Sequence, residues 1–105
     1  KAGRILDKAS QPTLSDGTAG GIEPGAITFD LCRALVDDYV LIAEDEIREA
    51  LRLMVETQPM LIEGAAAVAV AALLKRRSQF QGQRVAVVLC GANIGVETLR
   101  GVLCE

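Results

Sequence analysis

Histidine and tryptophan are both missing from this 105-residue chain, and one tyrosine and two phenylalanines make up its aromatic complement. Without histidine the chain lacks the commonest general base near neutral pH and the commonest metal ligand. No Cys-x-x-Cys or His-Glu-x-x-His pattern takes its place, so a metal site made by this chain alone is not expected. Fourteen carboxylates stand against eleven basic groups, a formal net charge of −3. With so few aromatics, that balance leaves neither a basic stripe nor a stacking platform, and nucleic-acid binding is set aside. Long apolar runs are also lacking. The longest uncharged one, Gly64 to Leu74, is well short of the ~20 residues a membrane span requires, which points to a buried helix and no membrane partner. The three cysteines, Cys32, Cys90 and Cys104, are odd in number and show no paired spacing, and no signal peptide precedes them. A reducing, cytoplasmic setting fits that usage.

What is present is one small domain's worth of residues, half of them apolar. The chain opens at Lys1 without an initiator methionine, and its first twenty-five residues hold five of the ten glycines and two of the three prolines. Residues 1–25 are therefore expected to be mostly loop and residues 26–105 to form an α/β part. So long an irregular opening suits a piece of something larger. Within it, Thr13-Leu-Ser-Asp16-Gly17-Thr-Ala-Gly20-Gly21 gathers turn formers and hydroxyls. This is either a surface loop of tight turns or a place where glycine lets backbone approach a ligand. It is neither a Walker loop nor a dinucleotide fingerprint, because no strand precedes it and no Gly-Lys-Ser/Thr follows.

Regular structure is expected from Pro24 onward. Ile27, Leu31, Ala34 and Leu35 fall at helical spacing and predict a helix over about Ala26 to Val36. Tyr39-Val-Leu-Ile42 reads as a short strand. Glu44, Asp45 and Glu46 place negative charge on the first turn of the next helix, and Ile47, Ala50, Leu51, Met54 and Val55 make its apolar stripe. Arg48, Glu49, Arg52 and Glu56 are expected to face water, with Glu44 and Arg48 an ordinary solvated pair. After Pro59, the alanine-dominated run from Gly64 predicts a helix packed closely between neighbours and closed by Lys75-Arg-Arg77. Val85 to Leu89 is an apolar run free of charge, suited to a strand covered on both faces. A last short helix after Gly95 turns Val96, Leu99 and Val102 or Leu103 inward. Strand, two helices, strand and helix make a crossover, which would place both strands in one parallel sheet. Each would leave an edge for other strands to cover.

Two positions stand out for chemistry. Cys90, with Gly91 and Asn93 behind it, lies at the carboxyl end of the second strand, where ligands bind in open α/β sheets. Glu63 is a lone carboxylate between Ile62 and Gly64 at a helix start. It is either a charge stabilised by the helix dipole or a group aimed into a site.

Four stretches together resemble a known family. Thr13-Leu-Ser-Asp-Gly-Thr-Ala, Val36-Asp-Asp-Tyr-Val with Glu44-Asp-Glu-Ile, Ile62-Glu-Gly-Ala-Ala-Ala-Val-Ala, and Val87-Val-Leu-Cys-Gly-Ala-Asn-Ile are similar to the C-terminal part of the serine/threonine dehydratases. These are fold-type II pyridoxal-phosphate enzymes, related also to serine racemase. The resemblance runs from about Thr13 to Ile94, with the motifs in the family's order. It implies an α/β fold, namely the C-terminal portion of the parallel-sheet, helix-flanked large domain of tryptophan synthase β-like enzymes. It also implies pyridoxal 5'-phosphate as cofactor. Cys90 takes the place of the residue that hydrogen-bonds the pyridine nitrogen, Glu63 that of a carboxylate near the ring, and Asp16 and Gly17 that of a loop bordering the pocket. Gly91 and Asn93 belong to the turn that Cys90 opens. Ala92 departs from the family's Gly-Gly-Asn turn, and Ala66 from its Gly-Ala-Gly-Ala, each adding one methyl.

The family's Schiff-base lysine and glycine-rich phosphate loop have no counterpart here, since Lys1, Lys8 and Lys75 lack the motif and Gly20-Gly21 is too short. The resemblance thus implies one wall of a cofactor site with no catalytic residue in this chain and no activity alone. The remainder of the enzyme, an N-terminal part carrying lysine and phosphate loop, would be its partner, and the complete enzyme a homo-oligomer. The reaction implied is dehydration and deamination of L-serine, L-threonine or a similar β-hydroxy amino acid to a 2-oxo acid and ammonia. A racemase of the same family and a non-catalytic α/β interaction module are the alternatives.

Overall fold

The computed structural model describes residues 3–104. The expectations that touch Lys1, Ala2 and Glu105, including the first two residues of the loop and the place of Lys1, lie outside the described residues. Four α-helices follow one another: α1 (Ile27–Leu35), α2 (Glu44–Thr57), α3 (Gly64–Lys75) and α4 (Val96–Leu103). Short 3-10 turns occupy Asp16–Thr18 and Arg77–Phe80.

The helices start and stop where periodicity and end chemistry place them. Helix α2 begins on its acidic triplet, and the Glu46 carboxylate, three residues beyond Ala43, reaches back to accept the Ala43 amide at 2.7 Å. That satisfies one of the donors orphaned at a helix start. Helix α3 opens at Gly64 and ends at Lys75, whose ammonium donates to the Leu41 carbonyl at 2.8 Å and to Glu46 at 2.9 Å. One lysine thereby ties the end of α3 to the start of α2 and to the extended residues before it.

The core is the seam between α2 and α3. Ile47, Ala50, Leu51 and Met54 meet Ile62, Ala66, Ala67, Val70 and Ala71, and Val102 of α4 closes the end. Leu51 is buried to 2 % exposure, and sequestering a leucine of that size contributes about 1.5–3 kcal/mol. Alanines on α3 allow the close approach their small size suggested. Helix α4 is held to α2 by two arginines, Arg48 and Arg52, whose place on the polar face of α2 predicts solvent exposure instead. Arg48 donates to the Gly101 carbonyl at 2.9 Å, and Arg52 donates through Nε to the Val102 carbonyl at 2.5 Å. These are the carbonyls left without partners at the end of a helix, which is why long cations are drawn to them.

Three further expectations are corrected. Val96, expected to turn inward on α4, is 79 % exposed, and the burial of that helix falls on Val102. The stripe of α1 does exist, yet no residue of that helix is buried, and Ile27 and Leu35 are among the most exposed apolar residues of the chain. The expected parallel sheet is absent among the described residues, where all regular structure is helical. Tyr39–Ile42 and Val85–Leu89 run without regular structure and pair neither with each other nor with another described segment. A strand is defined by its neighbour, and these two have none among the described residues. Tyr39, Leu41, Val85 and Val88 consequently face outward. The accessible surface is 8264 Å², against about 5,700 Å² expected for a self-contained domain of this mass. The slab measures 40 × 37 × 19 Å.

Candidate functional site

Glu63 immediately precedes α3 and adopts an extended backbone, φ −83° and ψ 168°, as an N-cap residue does. Its side chain makes no cap bond to the first turn of its own helix. The carboxylate is directed instead to the turn thirty residues further on, where it accepts the Asn93 amide at 3.0 Å. Its own amide donates to the Gly91 carbonyl at 3.1 Å. Glu63 and the 91–93 turn therefore hold each other through both main chain and side chain.

Gly91 is required for this embrace. The Glu63 carboxyl group lies directly against its Cα, and a Cβ there would overlap the carboxyl carbon and both oxygens. Gly17 is a further neighbour of the Glu63 carboxylate. A Cβ on Gly17 would stand 3.5 Å from Glu63 Oε1 and 3.3 Å from the Ala65 methyl. Asp16 folds its carboxylate back onto the Gly17 amide at 2.8 Å, a local turn contact that leaves its side chain outside the cluster. Cys90, at the end of the extended run and bonded to Gly91, is exposed and carries a free thiol. Of the six residues singled out from the sequence, Glu63, Gly91, Asn93 and Gly17 converge, while Cys90 and Asp16 flank them by their chain position.

The loop carrying Asp16 and Gly17 is positioned by Glu44, Ser15 and Gly64, a role that the sequence pattern of the first two does not announce. Glu44 accepts the Thr13 hydroxyl at 2.5 Å and the Leu14 amide at 2.8 Å. Ser15 is buried at 3 % exposure, its hydroxyl sharing a hydrogen bond with that of Thr18. The Leu14 carbonyl packs on the bare Cα of Gly64, where a Cβ would overlap it and would stand 2.9 Å from the Ser15 amide nitrogen. A glycine opening a helix of alanines was the one signal in the sequence of such backbone contact.

The donor set suits one part of a pyridoxal-phosphate molecule. A thiol, a nearby carboxylate and the bare faces of two glycines can border an aromatic ring and meet its nitrogen. None of the six residues carries a positive charge, so the phosphate dianion finds no counter-charge among them. Lys75 cannot approach, because it lies at the opposite end of α3 from Glu63, twelve residues or about 18 Å along the axis, and is engaged with Leu41 and Glu46. Among the described residues no group of three or more His, Cys, Asp or Glu could hold a metal ion.

Residues 1–91 fit the family model described as pyridoxal-phosphate dependent enzyme, and the chain belongs to that family. It is 42 % identical over 101 residues to the L-threonine ammonia-lyase of Geobacter sulfurreducens, covering 96 % of this chain and 25 % of the relative. To the L-threonine ammonia-lyase of Thermotoga maritima it is 37 % identical over 103 residues, covering 98 % of this chain and 25 % of the relative. The fold resembles the crystal structure of serine racemase from Dictyostelium discoideum, with a TM-score of 0.73 and 28 % identity over 83 % of this chain and 29 % of the racemase. That likeness assigns the helical framework to fold-type II pyridoxal-phosphate enzymes. The chain spans between a quarter and a third of the length of the relatives it matches.

Proposed function

We propose that this chain is part of a pyridoxal-phosphate-dependent ammonia-lyase that converts L-serine, L-threonine or a similar β-hydroxy amino acid to a 2-oxo acid and ammonia. The observation that carries the reading is the joining of Glu63 to the Gly91–Asn93 turn, with the free thiol of Cys90 at its edge. In this reading Cys90 meets the pyridine nitrogen of the cofactor. Gly91 and Asn93 shape the turn, Glu63 lies near the ring, and Asp16 and Gly17 border the pocket. When bound, pyridoxal phosphate supplies an electron sink for the charge left when an amino acid loses its α-proton. This chain's part is to hold the ring edge; it offers no lysine for cofactor attachment or proton removal and is inactive alone.

The remainder of the enzyme supplies that lysine and the glycine-rich phosphate loop. Tyr39–Ile42 and Val85–Leu89 become strands of a parallel, helix-flanked sheet in that complete domain, which accounts for their outward apolar side chains here. The complete enzyme is a homo-oligomer in the cytoplasm. Three free, exposed thiols support a reducing compartment. Among the described residues no helix is long and apolar enough to cross a membrane. A second reading, amino-acid racemase, is favoured by the likeness to serine racemase.

The test uses the complete enzyme and its Cys90→Ala variant, with cofactor affinity read from visible absorbance and products followed from L-threonine and L-serine. Weaker cofactor binding in the variant and release of 2-oxo acid with ammonia from the parent are expected. D-serine as the main product would select the racemase. Unchanged affinity and turnover in the variant would remove Cys90 from the site.

A further inference from the structure

An acidic residue at a helix start has a local use close at hand, which is to cap the free amides of the first turn. Glu63 leaves that use aside: its side chain makes no cap bond to α3, although its backbone has the conformation of an N-cap. Its carboxylate goes to a main-chain amide thirty residues away, at Asn93. The main chains of Glu63 and the turn are joined again between the Glu63 amide and the Gly91 carbonyl. Gly91 in turn has no side chain to keep the carboxylate off its Cα. Three separate features thus converge on one contact.

We infer that Glu63 is a positioning residue, a latch whose carboxylate fixes the Cys90–Asn93 turn and so sets where the Cys90 thiol stands. Geometry favours this over a role in proton transfer. Oε2 accepts the Asn93 amide, and both carboxylate oxygens lie so close to the Gly91 Cα that a Cβ there would overlap them. A carboxylate held between a turn and a loop in this way organises backbone. The turn has little else to restrain it: Cys90, Ala92 and Asn93 are all exposed, and the other backbone bond within it runs from the Ile94 amide to the Ala92 carbonyl. Charge-assisted bonds from backbone amides to carboxylates are among the stronger restraints a protein can place on an exposed turn.

The inference rests on the reading of Cys90 as a cofactor contact only for its functional consequence; the latch itself is a property of the chain. Three forms of the complete enzyme test it: the parent, Glu63→Gln and Glu63→Ala. Glutamine keeps an oxygen able to accept the Asn93 amide, whereas alanine removes it. Two readouts are taken, hydrogen exchange of the peptide containing Asn93 in the cofactor-free protein, and pyridoxal-phosphate affinity with the absorbance maximum of the bound form. Glu63→Ala is expected to speed exchange at the turn and to weaken cofactor binding about tenfold, the effect of losing one charge-assisted bond. It should also shift the absorbance maximum, since the ring's partner has moved. Glu63→Gln should stay within about threefold of the parent in affinity, with turn exchange largely protected. Exchange at Asn93 unaffected by alanine would overturn the latch, as would equal losses in both variants with the turn still protected, which would mark the charge itself as the working feature. Failure of the parent to take up cofactor would sink the functional reading alone, because the exchange readout still decides the latch.

Discussion

Replacing Gly64 with alanine sets two effects of opposite sign against each other at one atom. In a helix, alanine is favoured over glycine by about 0.5–1 kcal/mol, because glycine loses more backbone freedom on folding. Against this, the new Cβ would occupy the space of the Leu14 carbonyl and press on the Ser15 amide. Both obstacles are backbone, so no rotamer change relieves them. Relief requires the 13–15 segment to move away from α3, which strains the two bonds that Glu44 accepts from Thr13 and Leu14 and disturbs the buried Ser15. Overpacking of this kind costs about 1–3 kcal/mol, and a weakened bond to a partly exposed carboxylate adds about 1 kcal/mol. The net expectation is a loss of about 2 kcal/mol. Gly101 is the internal control: it lies inside α4 with open space around its Cα, so Gly101→Ala should stabilise by roughly 0.5–1 kcal/mol. Urea unfolding of the complete protein, followed by far-UV circular dichroism, measures both. A Gly64→Ala variant as stable as the parent would refute the close-approach argument, most sharply if Gly101→Ala behaves as expected.

Glu46 and Arg52 provide further tests. The Ala43 amide, and after it Lys75, hold the Glu46 carboxyl below its ordinary range. A depressed folded-state value means stability present above the ordinary carboxylate range and lost as pH falls through the depressed value. The parent should therefore exceed Glu46→Gln in unfolding midpoint at pH 7, and the gap should close on acidification; a gap constant from neutral to strongly acidic pH would contradict this. Arg52 donates to Val102 while its Nη2 is buried without a partner. Arg52→Met keeps the apolar stem but removes the tether, and should cost about 1 kcal/mol and speed hydrogen exchange along α4; unchanged exchange would show that Val102 packing alone holds the helix.

The helices were legible because their signals are local. Acidic first turns, a period of 3.6 and small-residue runs specify α2, α3 and α4 almost to the residue. The errors concern what lies across from an element. The stripe on α1 reads as a core face, yet periodicity says only that a face is apolar, and nothing among the described residues buries it. The runs at 39–42 and 85–89 have strand composition without a strand's partner. Arg48 and Arg52 are polar residues on a polar face, and their engagement with α4 depends on a packing angle that no local pattern encodes. At the site, residue types and positions singled out Glu63, Gly91 and Asn93. The direction of the Glu63 carboxylate, away from its own helix, was visible only once residues thirty apart had been brought together.

That spacing has a consequence for the order in which the molecule assembles. Helices α2 and α3 are separated by only six residues, Gln58 to Glu63, so their shared seam forms by closing a short loop. The cluster around Glu63 instead requires two closures of about thirty residues, one joining Thr13 and Leu14 to Glu44 and one joining Glu63 to Asn93. Chain entropy makes longer loops costlier to close, and contacts distant in sequence are slow to gain. Of these contacts the α2–α3 seam therefore carries the smallest entropic cost of closure, and the wall around Glu63 the largest.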